Sequence, residues 1–275
     1  MNRRFTSIAA SVAALALTAP ALAKSDARIA ELERQIATLS ADATAARDRG
    51  RIENLFSTYM YRHNAYRDQE IVQLWVKKGT PGVRAQYSNN GVYTDWDNIM
   101  AYHAQRPAPA GKLLVHYTTT PIIEVAADGK TAKGMWIMSG LESGLTDLEA
   151  AKSAPDFMFE KELVDGKKVW MHNVWVKYGV DFIKQDGEWK IWHFHCFEIA
   201  RGPHGSGWIP FASKSQNNPF SDDLMYFGED GKPVMMPKPD GRVTVRNNPY
   251  RTDAAQSLDA RPPVPYRTMS ETFEY

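Results

Sequence analysis

Two histidines near the end of the central part of the chain lie two residues apart and are of a type that can transfer protons. Alternate positions of the strand predicted over 188–199 carry Trp189, Ile191, His193, His195 and Phe197. Successive side chains of a strand point to opposite faces, so His193 and His195 share a face. Imidazole titrates near neutral pH, which allows histidine to act as a general acid or base. Both histidines are therefore candidate site residues.

The same residues raise the question of a metal ion. His172, on the preceding predicted strand, and Glu198 could complete a set of ligands around His193 and His195. Alternation, however, places Glu198 on the face opposite His195. We favour proton transfer over metal binding and expect neither a metal nor a cofactor.

A helix predicted from residue 51 carries a further polar pair. Its apolar side has i, i+3, i+4 and i+7 spacing and includes Ile52, Leu55, Phe56, Tyr59, Met60 and His63. Tyr59 and His63 are four residues apart and therefore lie on the same helix face. Tyr59 fits a core aromatic residue as well as a site residue, and both interpretations stay open.

Aromatic residues are more numerous than a core of this size requires. Five of them are candidates for contact with a ligand, namely Trp96, Tyr102, Trp136, Trp175 and Tyr178. If several line a pocket, the ligand is itself aromatic and is held by stacking; the alternative is that they simply pack the core. Arg106 and Lys177 are candidate cations that could pair with a phenolate or stabilise an oxyanion.

The elements that must position these residues come in the order helices first, strands second. After helices near 51–63 and 68–75, strands are predicted at Val92–Tyr93, Leu113–Thr118, Ile122–Val125, Ala132–Leu141, Phe157–Val164, Lys168–Ile183 and Glu188–Ile199. Turn sequences such as Asp165-Gly166 and Asp186-Gly187 separate the later strands. This order predicts an α+β domain over residues 48–200, with helices packed on one face of a curved antiparallel sheet.

Three further segments flank this domain. Residues 1–23 have the basic start, apolar stretch and small-residue end of a secretory signal peptide, with cleavage expected after Ala23. Residues 24–47 predict a helix with a short heptad pattern of apolar residues. Residues 201–275 hold ten of the sixteen prolines and are predicted to pack on the domain or on a neighbouring subunit. We therefore expect a periplasmic or secreted protein that forms a homo-oligomer.

Composition excludes several classes of function. Of 275 residues, 33 are Lys or Arg and 32 are Asp or Glu, so the formal net charge is only +1. This balance gives no electrostatic reason to expect a nucleic-acid or membrane partner. The single cysteine, Cys196, excludes an intrachain disulfide. The sequence also has no phosphate-binding loop, dinucleotide-binding fingerprint or nucleophile elbow. A small, uncharged aromatic substrate is the partner we expect.

Three segments in register resemble the SnoaL-like branch of the NTF2-like superfamily. They are the helical start RIENL at 51–55, the segment HYTTTPIIEV at 116–125, and the hairpin with YGVDF at 178–182 and DGEWKI at 186–191. The resemblance implies a cone-shaped α+β barrel, in which a strongly bent sheet surrounds helices and leaves a deep apolar pocket. It also implies chemistry on small hydrophobic molecules without a cofactor, although a fold of this kind does not fix the function.

The resemblance also assigns residues to the pocket. His116 matches the pocket histidine of the family, and Tyr59 matches a pocket tyrosine on the first helix. Family dehydratases carry an aspartate five residues after that tyrosine, where this chain has Asn64. An amide cannot accept a proton as a carboxylate does, so a dehydratase built on that aspartate is not expected. His63 and Asn64 are expected to contact substrate.

The closing hairpin of the family implies where the later histidines point. Residues at the positions of Trp189 and Ile191 face inward in the family. His193 and His195 are therefore expected to face the pocket unless a bulge intervenes, and His172 could join them.

The whole arrangement is similar to the sphingomonad lignin diarylpropane lyases of this superfamily, which convert a diarylpropane-1,3-diol into a stilbene and formaldehyde. This resemblance implies His116 or His195 as base, with Tyr59 and Arg106 as acid and oxyanion partners. Two alternatives stay open. One is a dehydratase or isomerase of a small hydrophobic molecule, and the other is a non-catalytic periplasmic binder of aromatic compounds.

Overall fold

The computed structural model describes residues 6–87, 91–108, 110–152, 156, 159–205, 209, 225–227, 233–242 and 250–269. The start of the predicted signal peptide (residues 1–5), the predicted turn at 88–90, the start of the strand predicted from Phe157 and most of the segment 206–249 lie outside these ranges. The chain divides into two compact units, Met1–Asp48 and Arg49–Tyr275.

The first unit is helical. Helix α1 is assigned to Thr6–Asn64, so that its first part belongs to this unit and its last part to the second. The apolar heptad positions of the first unit are exposed by 40% to 67% and are Ile29, Leu32, Ile36 and Leu39. Both stretches predicted to be helical, 24–47 and 51–63, are helical in the structure.

The second unit is built on a seven-stranded mixed sheet. Its strands are β1 (Arg84–Tyr87), β2 (Val92–Tyr93), β3 (Leu113–Val125), β4 (Thr131–Thr146), β5 (Phe159–Val164), β6 (Lys167–Gln185) and β7 (Glu188–Pro203). The order is β2-β1-β7-β6-β4-β3, with β5 paired to β6. The pairings are antiparallel except that of β1 with β7, which is parallel. The predicted α+β fold is confirmed, and its sheet is open rather than a closed barrel.

Several strands differ in length from the prediction. The two strands predicted at 113–118 and 122–125 form one strand, β3, with an irregularity between Thr119 and Ile122. Strand β4 continues five residues beyond its predicted end at Leu141 and thereby includes Glu142. Strand β1 was not predicted from the sequence.

Short helices complete the domain. They are α2 (Asp68–Ile71), a 3-10 turn (Val72–Leu74), α3 (Trp96–Ala104) and α4 (Leu148–Ala151). The helix predicted near 68–75 is thus a short α-helix that runs into a 3-10 turn. Of the described helices, none has both the length and the apolar composition needed to cross a membrane.

The last part of α1 packs its apolar side on the sheet. Ile52, Phe56 and Tyr59 are almost fully buried. The Phe56 ring stacks on Trp136 of β4 at 4.2 Å and meets Phe194 of β7 at 6.4 Å. Burial of apolar area is the main favourable contribution to folding, so this helix face and the interior face of the sheet form the core.

The described parts of residues 201–275 contact the domain. Strands β8 (Met225–Phe227) and β9 (Pro233–Met235) form a two-stranded sheet. The carboxylate of Asp240 accepts hydrogen bonds from the backbone of Thr94 and Asp95 at 2.7 and 2.8 Å. Further along, Ala127 N donates to Tyr266 O at 3.0 Å. The segment is thus attached to the domain at points far apart in sequence.

Candidate active site

A histidine and a glutamate form the centre of a polar cluster on the interior face of the sheet. Nε2 of His116, on β3, lies 2.9 Å from Oε1 of Glu142 on β4. His116 is directly opposite Gly140, so Glu142 is its diagonal neighbour. A carboxylate only accepts, so the proton of this hydrogen bond resides on Nε2, and in the neutral ring the lone pair of His116 is on Nδ1. The Nδ1 atom is buried and forms no hydrogen bond with any described residue.

Glu142 also contacts a second histidine. Oε2 of Glu142 lies 2.9 Å from Nε2 of His172 on β6, and Nη1 of Arg201 on β7 lies 2.7 Å from the same nitrogen. A guanidinium only donates, and an imidazole nitrogen has either a proton or a lone pair. Unprotonated, Nε2 accepts from Arg201; protonated, it donates to Glu142. Nε2 of His172 therefore forms one of these two hydrogen bonds at a time.

The charges of this cluster keep Glu142 ionised. Burial alone would raise the pKa of Glu142, but His172, the hydrogen bonds from His116 and His172, and Arg201 together lower it well below its usual range. Burial alone would lower the pKa of Arg201. The negative charges of Glu198 and Glu142 outweigh this effect and raise the pKa above its usual value. Nε of Arg201 donates to Glu198 at 3.1 Å. The cluster is thus a line of alternating acidic and basic groups.

The backbone around His116 is fixed from two sides. Nδ2 of Asn64 donates to His116 O at 2.7 Å, and His116 N donates to Oδ1 of Asn64 at 2.9 Å. On the neighbouring strand, a Cβ atom added to Gly140 would lie 2.4 Å from Cδ2 of His116, so the ring lies directly over this glycine. Asn64, predicted to contact substrate, instead positions His116.

A stack of rings on α1 leads to His116. Tyr59 stacks between Phe56 and His63, with interplanar angles of 2° and 12°. The His63 ring lies 5.2 Å from the His116 ring, measured between centroids. Burial, followed by the charges of Arg106 and His116, lowers the pKa of His63 well below its usual range, so the ring is uncharged at neutral pH. The predicted grouping of Tyr59 and His63 with His116 is therefore present.

Arg106 is bound to a carboxylate near these rings. Its Nε and Nη2 atoms donate to the two oxygens of Asp68, each at 2.8 Å, and both side chains are buried. Nη2 also donates to His63 O at 3.4 Å. Burial raises the pKa of Asp68 against the opposing effect of Arg106. Arg106 therefore acts on the site through its charge and through the end of α1.

Lys112 lies beside the same group. Its Nζ atom is 4.9 Å from the centroid of the Tyr66 ring and donates to Pro107 O at 3.2 Å. Burial, followed by the charge of Arg106, lowers the pKa of Lys112 to about 8. No pattern in the sequence marks this lysine as a site residue.

Aromatic residues of the interior face form a second layer of the site. Tyr178 meets Phe56 at 5.6 Å and Phe194 at 5.3 Å, and Tyr102 stacks on Tyr87 at 3.8 Å. Burial, followed by neighbouring groups, raises the pKa of Tyr87 and of Tyr178 well above the usual value, so both phenols stay protonated. Trp136, Tyr102 and Tyr178, all predicted to contact a ligand, thus lie in the core around Tyr59.

A buried histidine takes part in this layer. Nε2 of His103 lies 2.8 Å from the hydroxyl of Tyr87. Burial, followed by the charge of Arg106, lowers the pKa of His103 to about 3. His103 is therefore neutral at physiological pH.

The prediction that His193 and His195 face this interior is wrong. Phe182 of β6 pairs with Ile191 of β7, but the next residue, Asp181, pairs with His193, so Trp192 is an extra residue in β7. Such a bulge reverses the alternation that follows it. His193 and His195 are therefore on the exterior face of the sheet.

These two histidines are nevertheless buried on that face. Nδ1 of His193 lies 2.8 Å from Oδ2 of the fully buried Asp181. The His195 ring stacks on Phe197 at 3.6 Å. They cannot share one metal ion with His172, which faces the interior. Within the described residues, no group of three or more His, Cys, Asp or Glu side chains has the arrangement of a metal site.

Two other candidate residues lie away from the site, and a third, Trp96, is hydrogen-bonded to the backbone. Trp175 and Lys177 alternate with Tyr178 along β6 and so lie on the exterior face. Nζ of Lys177 donates to the carbonyls of Leu258 and Asp259 at 2.9 and 3.1 Å. Trp96 is partly buried and donates from Nε1 to Val76 O at 2.8 Å. The predictions that Trp175 and Lys177 serve the pocket are wrong, because they lie on the opposite face from Tyr178.

The chain is similar to a known protein family and to several solved structures. The family model for the SnoaL-like domain matches residues 44–195, more than half of the chain. No curated protein matches the chain. Among solved structures, a type 2 hexachlorocyclohexane dehydrochlorinase (LinA) shares 16% identity, with 60% of this chain and 95% of that chain covered and a TM-score of 0.44.

Two further solved structures have similar sequence identity, coverage and TM-score. The LinA-type3 dehydrochlorinase from Novosphingobium barchaimii LL02 shares 17% identity over 60% of this chain and 96% of that chain, with a TM-score of 0.42. The Kfla4162 protein from Kribbella flavida shares 12% identity over 57% and 93%, also with a TM-score of 0.42. With the family model covering α1 from residue 44, the sheet and His116, the chain belongs to the SnoaL-like family, and its domain has the NTF2-like α+β fold.

Proposed function

We propose that this protein is a cofactor-independent lyase that acts on a small aromatic substrate by acid/base catalysis. The observation that supports this most is the buried His116–Glu142 pair, which leaves the lone pair of His116 Nδ1 facing the interior. SnoaL-like proteins such as the LinA enzymes above are named for eliminations from small molecules. A base at the end of an apolar interior suits an elimination.

Glu142 makes His116 a better base in this proposal. The carboxylate holds the proton on Nε2 and stabilises the imidazolium that forms when Nδ1 accepts a second proton. Because Glu142 stays ionised, the pair is ready at neutral pH. Asn64 and Gly140 fix the ring, so little reorganisation accompanies the reaction.

The specific reaction proposed is the deformylation of a lignin-derived diarylpropane-1,3-diol. His116 removes the proton of the terminal hydroxyl, and the oxygen electrons form the carbonyl of formaldehyde. The carbon–carbon bond to the hydroxymethyl carbon breaks, and its electrons form the double bond of the stilbene. The benzylic hydroxyl departs as water, with a proton from Tyr59. The proton on His116 later returns to Tyr59 through solvent, so diol gives stilbene, formaldehyde and water.

The aromatic interior supports an aromatic substrate. Rings of Phe56, Tyr59, Trp136, Tyr178 and Phe194 surround one another at centroid distances of 4.2 to 6.4 Å. Aromatic side chains offer stacking and edge contacts to aryl groups at little cost in side-chain entropy.

Incubation of the purified protein with a diarylpropane-1,3-diol tests this function. We expect stilbene and formaldehyde in equal amounts, unchanged by prior treatment with a chelator. Loss of water without formaldehyde would instead indicate a dehydratase, and binding without turnover a non-catalytic protein. His116→Asn should abolish turnover, while His195→Asn, a matched change on the exterior face, should leave it intact.

Export to the periplasm or outside the cell is part of the same proposal. It is supported by the composition of residues 1–23, and N-terminal sequencing of the mature protein, expected to begin at Lys24, tests it.

A further inference from the structure

His63 and His116 are neighbours, and each has a buried Nδ1 atom. The rings of His63 and His116 are 5.2 Å apart and inclined by 32°. Nδ1 of each ring is out of contact with solvent and forms no hydrogen bond within the part of the chain that the structure describes. Buried polar atoms are nearly always hydrogen-bonded, so two such atoms on neighbouring rings are candidates for hydrogen bonds to a ligand.

The two nitrogens have complementary roles. In the neutral ring, Nδ1 of His116 is an acceptor, because the proton on Nε2 is donated to Glu142. The His63 ring is uncharged and therefore has one N–H group and one lone pair. With its proton on Nδ1, His63 places a donor beside the acceptor of His116. Stacking on Tyr59 at 5.7 Å fixes the plane of the His63 ring.

We propose that His63 and His116 together bind one hydroxyl group of the substrate. The His63 Nδ1–H group donates to the hydroxyl oxygen, and the hydroxyl donates its proton to His116 Nδ1. Each of these hydrogen bonds spans about 2.7–3.0 Å between heavy atoms, so one bridging oxygen requires Nδ1 atoms within about 6 Å of each other, a condition compatible with ring centroids 5.2 Å apart. The ligand class is a primary alcohol attached to an aromatic framework.

This inference rests on the proposed function and adds a second catalytic group to it. As His116 takes the proton, negative charge develops on the substrate oxygen, and the His63 N–H stabilises it until that oxygen becomes the carbonyl of formaldehyde. A neutral imidazole suits this role, because an imidazolium would protonate the oxygen again. A methyl ether at the same position has no proton for His116 and is expected not to react.

Nuclear magnetic resonance of protein labelled with nitrogen-15 in its histidines tests the arrangement without turnover. In the free protein we expect His63 protonated on Nδ1 and neutral across the neutral pH range, and His116 protonated on Nε2. The probe is a 2,3-diarylpropan-1-ol, which keeps the hydroxymethyl group but has no benzylic hydroxyl to expel. It should shift the Nδ1 signals of both rings, whereas the matched 1,2-diarylpropane should not. A bare Nδ1 on His63 in the free protein would overturn the proposal.

Two substitutions separate the role of His63 as a donor from a structural role. His63→Gln keeps an N–H donor and should retain part of kcat, whereas His63→Leu should lower kcat by about 10²- to 10³-fold. If His63→Gln, His63→Leu and the wild-type protein all had the same kcat, the proposal would be contradicted. If the unchanged protein releases no formaldehyde but the alcohol shifts both Nδ1 signals, the reaction is wrong and the binding of the hydroxyl stands. If it releases formaldehyde and the signals do not respond, the hydroxyl assignment is wrong.

Discussion

Asn64 and His116 are joined by two hydrogen bonds, from the Asn64 amide to the His116 carbonyl and from the His116 N–H to the Asn64 oxygen. His116 belongs to β3, an edge strand of the sheet. The peptide groups of His116 that do not face β4 are therefore satisfied by a side chain at the end of α1. The asparagine is thus a connection between helix and strand that fixes the backbone of the proposed base.

Replacing Asn64 by aspartate should weaken this connection. A carboxylate can accept from His116 N but cannot donate to His116 O, and its charge would repel that carbonyl. We expect Asn64→Asp to lower the free energy of unfolding by about 1–3 kcal/mol and to reduce turnover. Urea unfolding and steady-state kinetics measure both effects. A gain of activity in Asn64→Asp would show instead that the position serves as an acid or base.

Gly140 is a second support of His116, and a single methyl group should disturb it. In Gly140→Ala, the new Cβ would lie 2.4 Å from the His116 ring and 2.5 Å from Val115 O. The ring must move, so we expect a loss of about 1–3 kcal/mol in stability and a fall in kcat. Thermal unfolding and kinetics measure them.

Gly50→Ala is the matched control for that change. No atom lies within 4 Å of a Cβ at Gly50, which is in α1, so this variant should be up to about 1 kcal/mol more stable, with unchanged kcat. Normal activity in Gly140→Ala would mean that the position of the His116 ring is not critical.

The helix and the long strands could be predicted because their side-chain periodicity is local. Tyr59 and His63 share a face through helical spacing alone, and His116 was located by its resemblance to a family segment. The sequence does not identify Glu142 as a site residue, because the predicted strand ends at Leu141. Glu142 alternates in phase with Trp136 and Gly140. A strand predicted to continue beyond Leu141 therefore places Glu142 on the interior face.

The position of His193 and His195 could not be derived in the same way. Their face depends on one extra residue, Trp192, which changes the pairing of β7 with β6. A bulge is a property of two strands together, and no pattern within one strand shows it. Contacts such as that of Arg106 with Asp68 likewise depend on elements far apart in the sequence.

The exterior position of His193 predicts an effect on stability without an effect on chemistry. In His193→Leu, the fully buried Asp181 loses a hydrogen bond, so the free energy of unfolding should fall by about 1–3 kcal/mol. Values of kcat and KM, measured where the variant is folded, should not change. In the matched interior variant His116→Leu, turnover should fall by at least about 10²-fold. A lower kcat in folded His193→Leu would indicate that His193 has a catalytic role.

Glu142→Gln should separate the charge of this residue from its shape. A glutamine no longer fixes the proton of His116 on Nε2 or stabilises the imidazolium, so we expect kcat to fall by about 10²- to 10⁴-fold. The folded protein holds the pKa of Glu142 well below its usual range, so ionised Glu142 stabilises the fold at neutral pH. This stabilisation is complete above the usual glutamate pKa of about 4.3 and is lost as the pH falls through the lower folded value. Urea unfolding from neutral pH to about pH 3 should therefore show a steeper loss of stability for the unchanged protein than for Glu142→Gln. Parallel pH profiles for the two proteins would contradict the lowered pKa of Glu142 and would indicate that His116, His172 and Arg201 do not stabilise its charge.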